Sequence, residues 1–178
     1  MHSPGIEDEI RQRYFAVWSE TPNAGQIAVL HIGPEQTAIA VGDHPEVDAI
    51  LLLAIGSKAT AREHFKHTPA TALELENAIM TVEDELARAR SSIPDHSSLY
   101  TTDSALCEIA RLSGVNDKAT MVLPLEAMER TFDRMASVAM GRPASPSELP
   151  MSNEFAATLL ILRECMHHLR FSAMSCIA

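Results

Sequence analysis

The stretch "AVLHIGPEQTAIAVG", residues 28–42, decides the fold of this chain. Two runs of small and branched apolar residues flank a turn at residues 33–36, which is the pattern of an antiparallel hairpin. A third run, "VDAILLLAIG" at residues 47–56, follows the next turn. It is apolar at nearly every position, which predicts a strand covered on both faces. The three runs together predict a meander of three antiparallel strands.

Helical patterns precede and follow this meander. Apolar side chains at Ile6, Ile10 and Tyr14 recur every four residues and predict an amphipathic helix ahead of the hairpin. Thr71 and Glu74 have the spacing of a capping box, which predicts the start of a long helix. Its apolar stripe continues to about residue 90.

From residue 97 onward the chain alternates between strand patterns and helix patterns. It predicts, in chain order, a short strand in "SSLYTT" (97–102), a helix capped near Asp103 and ended by Gly114, a strand in "ATMVLP" (119–124), a helix over 125–139, a proline-rich loop in "GRPASPSELP" (141–150), a helix capped by Ser152 and a strand in "FSAMSCI" (171–177). Because the later strands arrive through helical crossovers, we expect them to lie parallel.

This order of elements predicts an α/β fold, a mixed sheet with helices on both faces in one ribonuclease-H-like domain. The domain spans residues 1–178, with an N-terminal helix within 1–24, the meander at 26–56 and the remaining helices and strands at 71–178. A hydrophobic fraction of 46% in 178 residues is enough for one core of ordinary size.

Composition excludes several classes of function. A formal net charge of −10 without a basic block argues against nucleic acid and anionic membranes as partners. No apolar run reaches the roughly 20 residues that cross a bilayer, and the acidic N-terminus is unlike a signal peptide. We therefore expect a cytoplasmic protein. The three cysteines, Cys107, Cys165 and Cys176, lack paired spacing and are expected to be buried thiols.

Several stretches resemble one known family in the order in which they occur. They are "IEDEIRQRYFAVWSE" (6–20), the hairpin of residues 28–42, "LLLAIGSKATAREHF" (51–65) and "SLYTTDSALCEIARLSG" (98–114). They resemble the C-terminal half of the core of the exopolyphosphatase and guanosine pentaphosphate phosphohydrolase (Ppx/GppA) family, within the actin, Hsp70 and sugar kinase superfamily. The resemblance implies an actin-like fold and a site at the tip of the first hairpin.

The phosphate-binding motif of that family is altered at the hairpin. The resemblance places His31 where the family has an aspartate that assists metal and water, and it retains only Gly33 of the family's glycines. Pro34 removes a backbone donor, and Glu35 adds negative charge where a phosphate would lie. Gln36 and Thr37 complete the candidate phosphate-binding residues of this turn.

The second phosphate loop is altered as well. Thr102, Asp103 and Ser104 stand where the family has two glycines and a threonine, so this loop has also gained a carboxylate. Glu9 matches the family's catalytic glutamate, which positions the attacking water. The alternative for Glu9 is an acidic first helical turn that complements the helix dipole.

Two further sets of residues are weaker candidates. Lys58 and Arg62 are candidate anion contacts, or else exposed charges of a short helix. The histidine pairs His64 with His67 and His167 with His168 do not complete a known ligand set, so we expect no metal site. His167 and His168 are expected to interact with the terminal carbonyls of their helix or to cap the edge of the core.

These patterns favour a binding or regulatory module that has lost catalysis. The alternative is a Mg²⁺-dependent phosphohydrolase, a phosphoric anhydride hydrolase acting on polyphosphate or a guanosine polyphosphate, with Glu9 as its base. Binding of a small phosphate ligand without turnover is a third reading. We expect no cofactor, Mg²⁺ being required only by the hydrolase. Since the resemblance covers half of the family's core, we expect a homodimer or a separate protein to cover the cleft face.

Overall fold

A computed structural model describes residues 5–143, 145 and 149–178 of the chain. Residues 1–4 of the predicted domain, and 144 and 146–148 of the predicted proline-rich loop, lie outside the described residues. The helices are α1 (Ile6–Glu20), α2 (Ser57–His64), α3 (Ala72–Ala89), α4 (Ser104–Leu112), α5 (Leu125–Ala139) and α6 (Asn153–His168). The strands are β1 (Ile27–Ile32), β2 (Thr37–Gly42), β3 (Ala49–Leu53), β4 (Ser98–Thr101), β5 (Thr120–Pro124) and β6 (Ala173–Ile177).

The strands of the described residues form one mixed sheet in the order β3-β2-β1-β4-β6-β5. The meander is antiparallel, as predicted, with Leu30 opposite Ile39 and Ile39 opposite Leu51. β4 lies parallel to β1, and β6 lies parallel to β4, each reached through a helical connection. The fold class predicted from the sequence, a single ribonuclease-H-like α/β domain, is confirmed.

Two expectations about the strands are wrong. β5 is antiparallel to β6, because α5 and α6 both lie between them and return the chain to the same end of the sheet. β3 is an edge strand that is only partly covered, whereas β1 and β2 are buried at every position. The apolar run in β3 therefore does not report burial on both faces.

Helices cover both faces of the sheet unequally. α1 packs on one face against β1 and β2, with Ile10, Tyr14 and Val17 in a small core of their own. The larger core lies on the other face, where α6 contacts α2, α3, α4 and α5. On the α1 face, alternate residues of β5 are exposed, including Val122 at 51%.

Local signals place the helix starts where the sequence predicts them. Thr71 and Glu74 form the capping box of α3: the Thr71 hydroxyl accepts from the Glu74 amide, and the Glu74 carboxylate accepts from the Thr71 amide at 2.9 Å. The Ser152 hydroxyl accepts from the Phe155 amide at the start of α6. In the part of the chain that the structure describes, no helix has both the length and the apolar character needed to cross a membrane.

Candidate functional site

The ends of β1 and β4 lie side by side and place four charged residues next to α1. Because the two strands are parallel neighbours, their carboxyl ends meet at one edge of the sheet. His31 comes from the end of β1, Asp103 follows β4, and Glu9 and Arg13 extend from consecutive turns of α1. We call these four residues the charge cluster.

Asp103 is the centre of the charge cluster. One carboxylate oxygen, Oδ2, accepts a hydrogen bond from the Ile32 amide at 2.9 Å. The other, Oδ1, lies 2.7 Å from His31 Nδ1 and 2.9 Å from Arg13 Nη1. The Asp103 side chain is 8% exposed, so these contacts replace water as its partners.

Backbone geometry holds Asp103 in this position. The Thr101 hydroxyl accepts from the Asp103 amide at 3.0 Å and donates to the Leu30 carbonyl at 2.9 Å. The residue thus sits at the N-cap of α4, yet its side chain makes no capping bond and turns towards β1. The Asp103 carboxylate therefore makes its contacts on the side of β1 and α1 and not with the amides of α4.

Arg13 joins the two carboxylates of the charge cluster. Its guanidinium donates to Glu9 Oε1 at 2.7 and 3.2 Å and to the Thr102 hydroxyl at 3.0 Å. His31 Nε2 lies 3.5 Å from the same Glu9 oxygen. Arg13 is not among the site residues predicted from the sequence, although its position one helical turn after Glu9 was the available signal.

The backbone of the hairpin tip, residues 33–36, is hydrogen-bonded within its own turn and to the start of α2. The Gly33 amide donates to the Gln36 carbonyl at 2.9 Å, closing the turn. The Gly33 carbonyl accepts from the Ser57 amide, and the Pro34 carbonyl accepts from the amides of the next two residues. These are first-turn amides of α2, which would otherwise be free to bind an anion.

Gly56 is what allows the tip to approach α2 so closely. A Cβ at this position would lie 2.4 Å from the Glu35 carbonyl carbon, 2.5 Å from the Pro34 oxygen and 2.7 Å from the Gln36 nitrogen. All three are backbone atoms, so relief would require movement of the hairpin. The candidate residue Thr37 adds a bond on the same side, since its hydroxyl donates to the Ile55 carbonyl at 2.7 Å.

Glu35 forms an ion pair with Arg62 at the protein surface. Arg62 Nη2 lies 2.9 Å from Glu35 Oε2. Hydrogen bonding from Arg62, together with the charges of Arg62 and Lys58, lowers the pKa of Glu35, and the same hydrogen bond raises the pKa of Arg62. Arg62, one of the two candidate anion contacts, is therefore already paired with Glu35.

The structure divides the predicted site residues into two groups. Glu9, His31, Thr102 and Asp103 meet in and around the charge cluster, with Ser104 starting α4 beside them. The second group is the hairpin tip with its neighbours on α2, namely Gly33, Pro34, Glu35, Gln36, Lys58 and Arg62.

The histidines at the end of α6 behave differently from the expectation. His167 pairs with Glu129 of α5, and His168 lies between Glu83 and Glu164. The expected contacts with terminal carbonyls are wrong, because carboxylates of neighbouring helices face both rings. His67 likewise pairs with Glu74, at 2.9 Å.

The three cysteines are buried free thiols, as expected. Burial raises the pKa of Cys165 to about 12. A hydrogen bond between Cys107 and Cys176 lowers the pKa of the first thiol and raises that of the second.

The charge cluster does not suit the Mg²⁺ that a phosphohydrolase would need. Mg²⁺ takes oxygen ligands in near-octahedral geometry, and the carboxylate oxygens here are those of Glu9 and Asp103. The Arg13 guanidinium bonds to both carboxylates, and His31 bonds to one of them. A divalent cation between these oxygens would have to displace the Arg13 guanidinium.

Comparison with known proteins supplies structures that are similar in fold. No protein-family model matches the sequence, and no curated protein matches it either. A PPX-GPPA enzyme of Aquifex aeolicus superposes over 94% of this chain and 58% of its own, with a TM-score of 0.75 and 18% identity. An exopolyphosphatase from Cytophaga hutchinsonii superposes over 93% of this chain and 57% of its own, with a TM-score of 0.73 and 12% identity.

The chain has the Ppx/GppA fold. It spans less than two thirds of the length of either of these proteins. The resemblance seen in the sequence is confirmed at the level of this fold, including the actin-like arrangement of sheet and helices.

Proposed function

We propose that this exopolyphosphatase-like domain is a binding or regulatory module without phosphohydrolase activity. One observation carries the proposal: the Asp103 carboxylate already occupies the position of an anion. Three donors converge on it, namely the Ile32 amide, His31 and Arg13.

A phosphate would need these same donors. Backbone amides and guanidinium groups are the usual partners of phosphate oxygens. To reach them, the phosphate would have to displace Asp103 or lie against the negative charges of Asp103 and Glu9, which repel it. The buried carboxylate thus works against substrate binding at the second loop.

The hairpin tip supports the same proposal at the first loop. Pro34 lacks an amide hydrogen, and the Gly33 amide is bonded within the turn. The close contact with Gly56 fixes the turn against α2. A glycine-rich loop would leave its amides free to surround a phosphate, whereas this turn uses carbonyls to bind a helix.

Glu9 is also poorly placed to act as a base in the hydrolase alternative. Its Oε1 oxygen accepts two bonds from Arg13, and His31 lies nearby. An attacking water would have to compete with the Arg13 guanidinium for this oxygen. The geometry therefore favours a structural role for Glu9.

The experiment compares phosphate release by the wild-type chain and by Glu9→Gln. Long-chain polyphosphate and guanosine pentaphosphate are supplied with Mg²⁺, and a working exopolyphosphatase is assayed in parallel as a positive control. We expect release at background level from both variants of this chain. Release by the wild type that Glu9→Gln abolishes would overturn the proposal and establish the hydrolase.

A further inference from the structure

Three possible metal ligands meet between α3 and α6, away from the charge cluster. Glu83 belongs to α3, whereas Glu164 and His168 lie one turn apart on α6. One nitrogen and two oxygens of these side chains all lie within 4.8 Å of one another. Two helices that are distant in the sequence therefore contribute to one group.

The distances fit a single ion. His168 Nε2 lies 3.2 Å from Glu83 Oε1 and 3.3 Å from Glu164 Oε2. In a tetrahedral zinc site, with bonds of about 2.1 Å, neighbouring ligand atoms are about 3.4 Å apart. The spacing of the histidine nitrogen to each carboxylate matches that edge closely.

Hydrogen bonding within the group is incomplete. A neutral imidazole nitrogen carries at most one hydrogen, so Nε2 can donate to only one of the two carboxylate oxygens beside it. Glu164 is 1% exposed, so its carboxylate lies within the packed interior at this end of α6. A cation between the three atoms would bind both oxygens at once.

The surrounding charges also favour a cation. Glu83, Glu129 and Glu164 place three carboxylates around this end of α6. Two guanidinium groups lie beside them: Arg163 contacts Glu129 and Glu164, and Arg90 donates to the His168 carbonyl at 2.7 Å. The carboxylates thus outnumber the guanidinium groups, and Glu164 is buried. Arg163 binds the Glu164 oxygen that faces away from His168, which orients the other oxygen towards the group.

We propose that Glu83, Glu164 and His168 bind a divalent transition metal ion of the zinc type, which joins α3 to the C-terminal end of α6. Imidazole nitrogen combined with carboxylate oxygen suits zinc better than Mg²⁺ or Ca²⁺, which prefer oxygen alone. The side chains of Glu83 and His168 are 42% and 38% exposed, so water can fill a fourth position. The proposal is independent of the function proposed above.

The test uses the full chain without a histidine tag, treated with EDTA and dialysed. Addition of ZnCl2 is followed by calorimetry and thermal unfolding. We expect one ion per chain and a rise in Tm on the order of 5–10 °C at a hundredfold excess over Kd. Co²⁺ should give the visible absorption of a tetrahedral site, and Mg²⁺ should leave the Tm unchanged.

His167 provides a matched control for His168, since the two neighbours have side-chain exposures of 39% and 38%. His168→Ala and Glu83→Gln should each weaken zinc binding at least tenfold. His167→Ala should bind zinc as the wild type does. An absence of zinc binding by the wild type, or equal losses in His167→Ala and His168→Ala, would overturn the proposal.

Discussion

At the scale of single residues, Asp103 is the side chain on which the proposed function depends. Asp103→Ala leaves the Ile32 amide without its partner and removes a shared acceptor from His31 and Arg13. We expect a loss of about 3 kcal/mol in the free energy of unfolding. Added phosphate or sulfate should recover part of that loss by binding the same three donors. Urea unfolding with and without these anions measures both effects.

Asp117→Ala is the control for Asp103→Ala. Asp117 also pairs with an arginine, Arg111, but its side chain is 71% exposed. An exposed pair contributes no more than about 1 kcal/mol, so the substitution should cost little and show no response to phosphate. If anions stabilised the wild type and Asp103→Ala to the same extent, the interpretation of Asp103 as an internal anion would fail.

Gly56 gives a second prediction at this scale. The Cβ of Gly56→Ala would meet three backbone atoms of the hairpin tip at 2.4–2.7 Å. The hairpin or α2 must then move, and we expect a loss of about 3 kcal/mol in the free energy of unfolding. Gly5→Ala is the comparison, because nothing lies within 4 Å of its Cβ. Its loss should not exceed about 1 kcal/mol, the effect of a changed N-cap.

At the scale of secondary-structure elements, the start of α3 links stability to pH. Hydrogen bonding from the Thr71 amide, followed by His67, lowers the pKa of Glu74 to about 2 from 4.5. A lowered pKa stabilises the folded state above 4.5, and this stabilisation is lost as the pH falls from 4.5 through 2. The stability difference between the wild type and Glu74→Gln should therefore shrink over that range.

Urea unfolding at several values between pH 6 and pH 2.5 measures this difference. Glu76→Gln is the matched control, because Glu76 is exposed on the same helix. The shrinking difference should be specific to Glu74→Gln, because the Glu74 carboxylate accepts from the Thr71 amide. A constant difference for Glu74→Gln would show that the capping box does not set the acid response of α3.

Most elements were predictable because their signals are local. The hairpin follows from its two apolar runs and the turn residues between them, and α3 follows from its capping box. The orientation of β5 was not predictable, because it depends on both α5 and α6 returning the chain to one end of the sheet. The partial burial of β3 depends on its place at the sheet edge, which its composition does not report.

At the scale of the whole molecule, the candidate site was only partly predictable from the sequence. The family resemblance of the sequence pointed to Glu9, His31 and Asp103, which the fold brings together from three separate segments. It did not show that Asp103 turns away from α4 towards the Ile32 amide, nor that Arg13 lies between the carboxylates. Such contacts depend on the packing of α1 against the ends of β1 and β4.

The incompletely covered α1 face of the sheet leads to the last prediction. Phe15 on α1 and Val122 on β5 are 55% and 51% exposed on this side of the molecule, and exposed apolar surface of this kind favours association. At micromolar concentration we expect sedimentation to show a species heavier than one chain, either a homodimer or a complex with a copurified protein. Val122→Asp should lower that mass by placing a charge within the contact. Leu73→Asp, at an exposed apolar position on α3, should leave it unchanged. A monomer without a copurified protein would contradict the prediction that this exposed apolar surface mediates association.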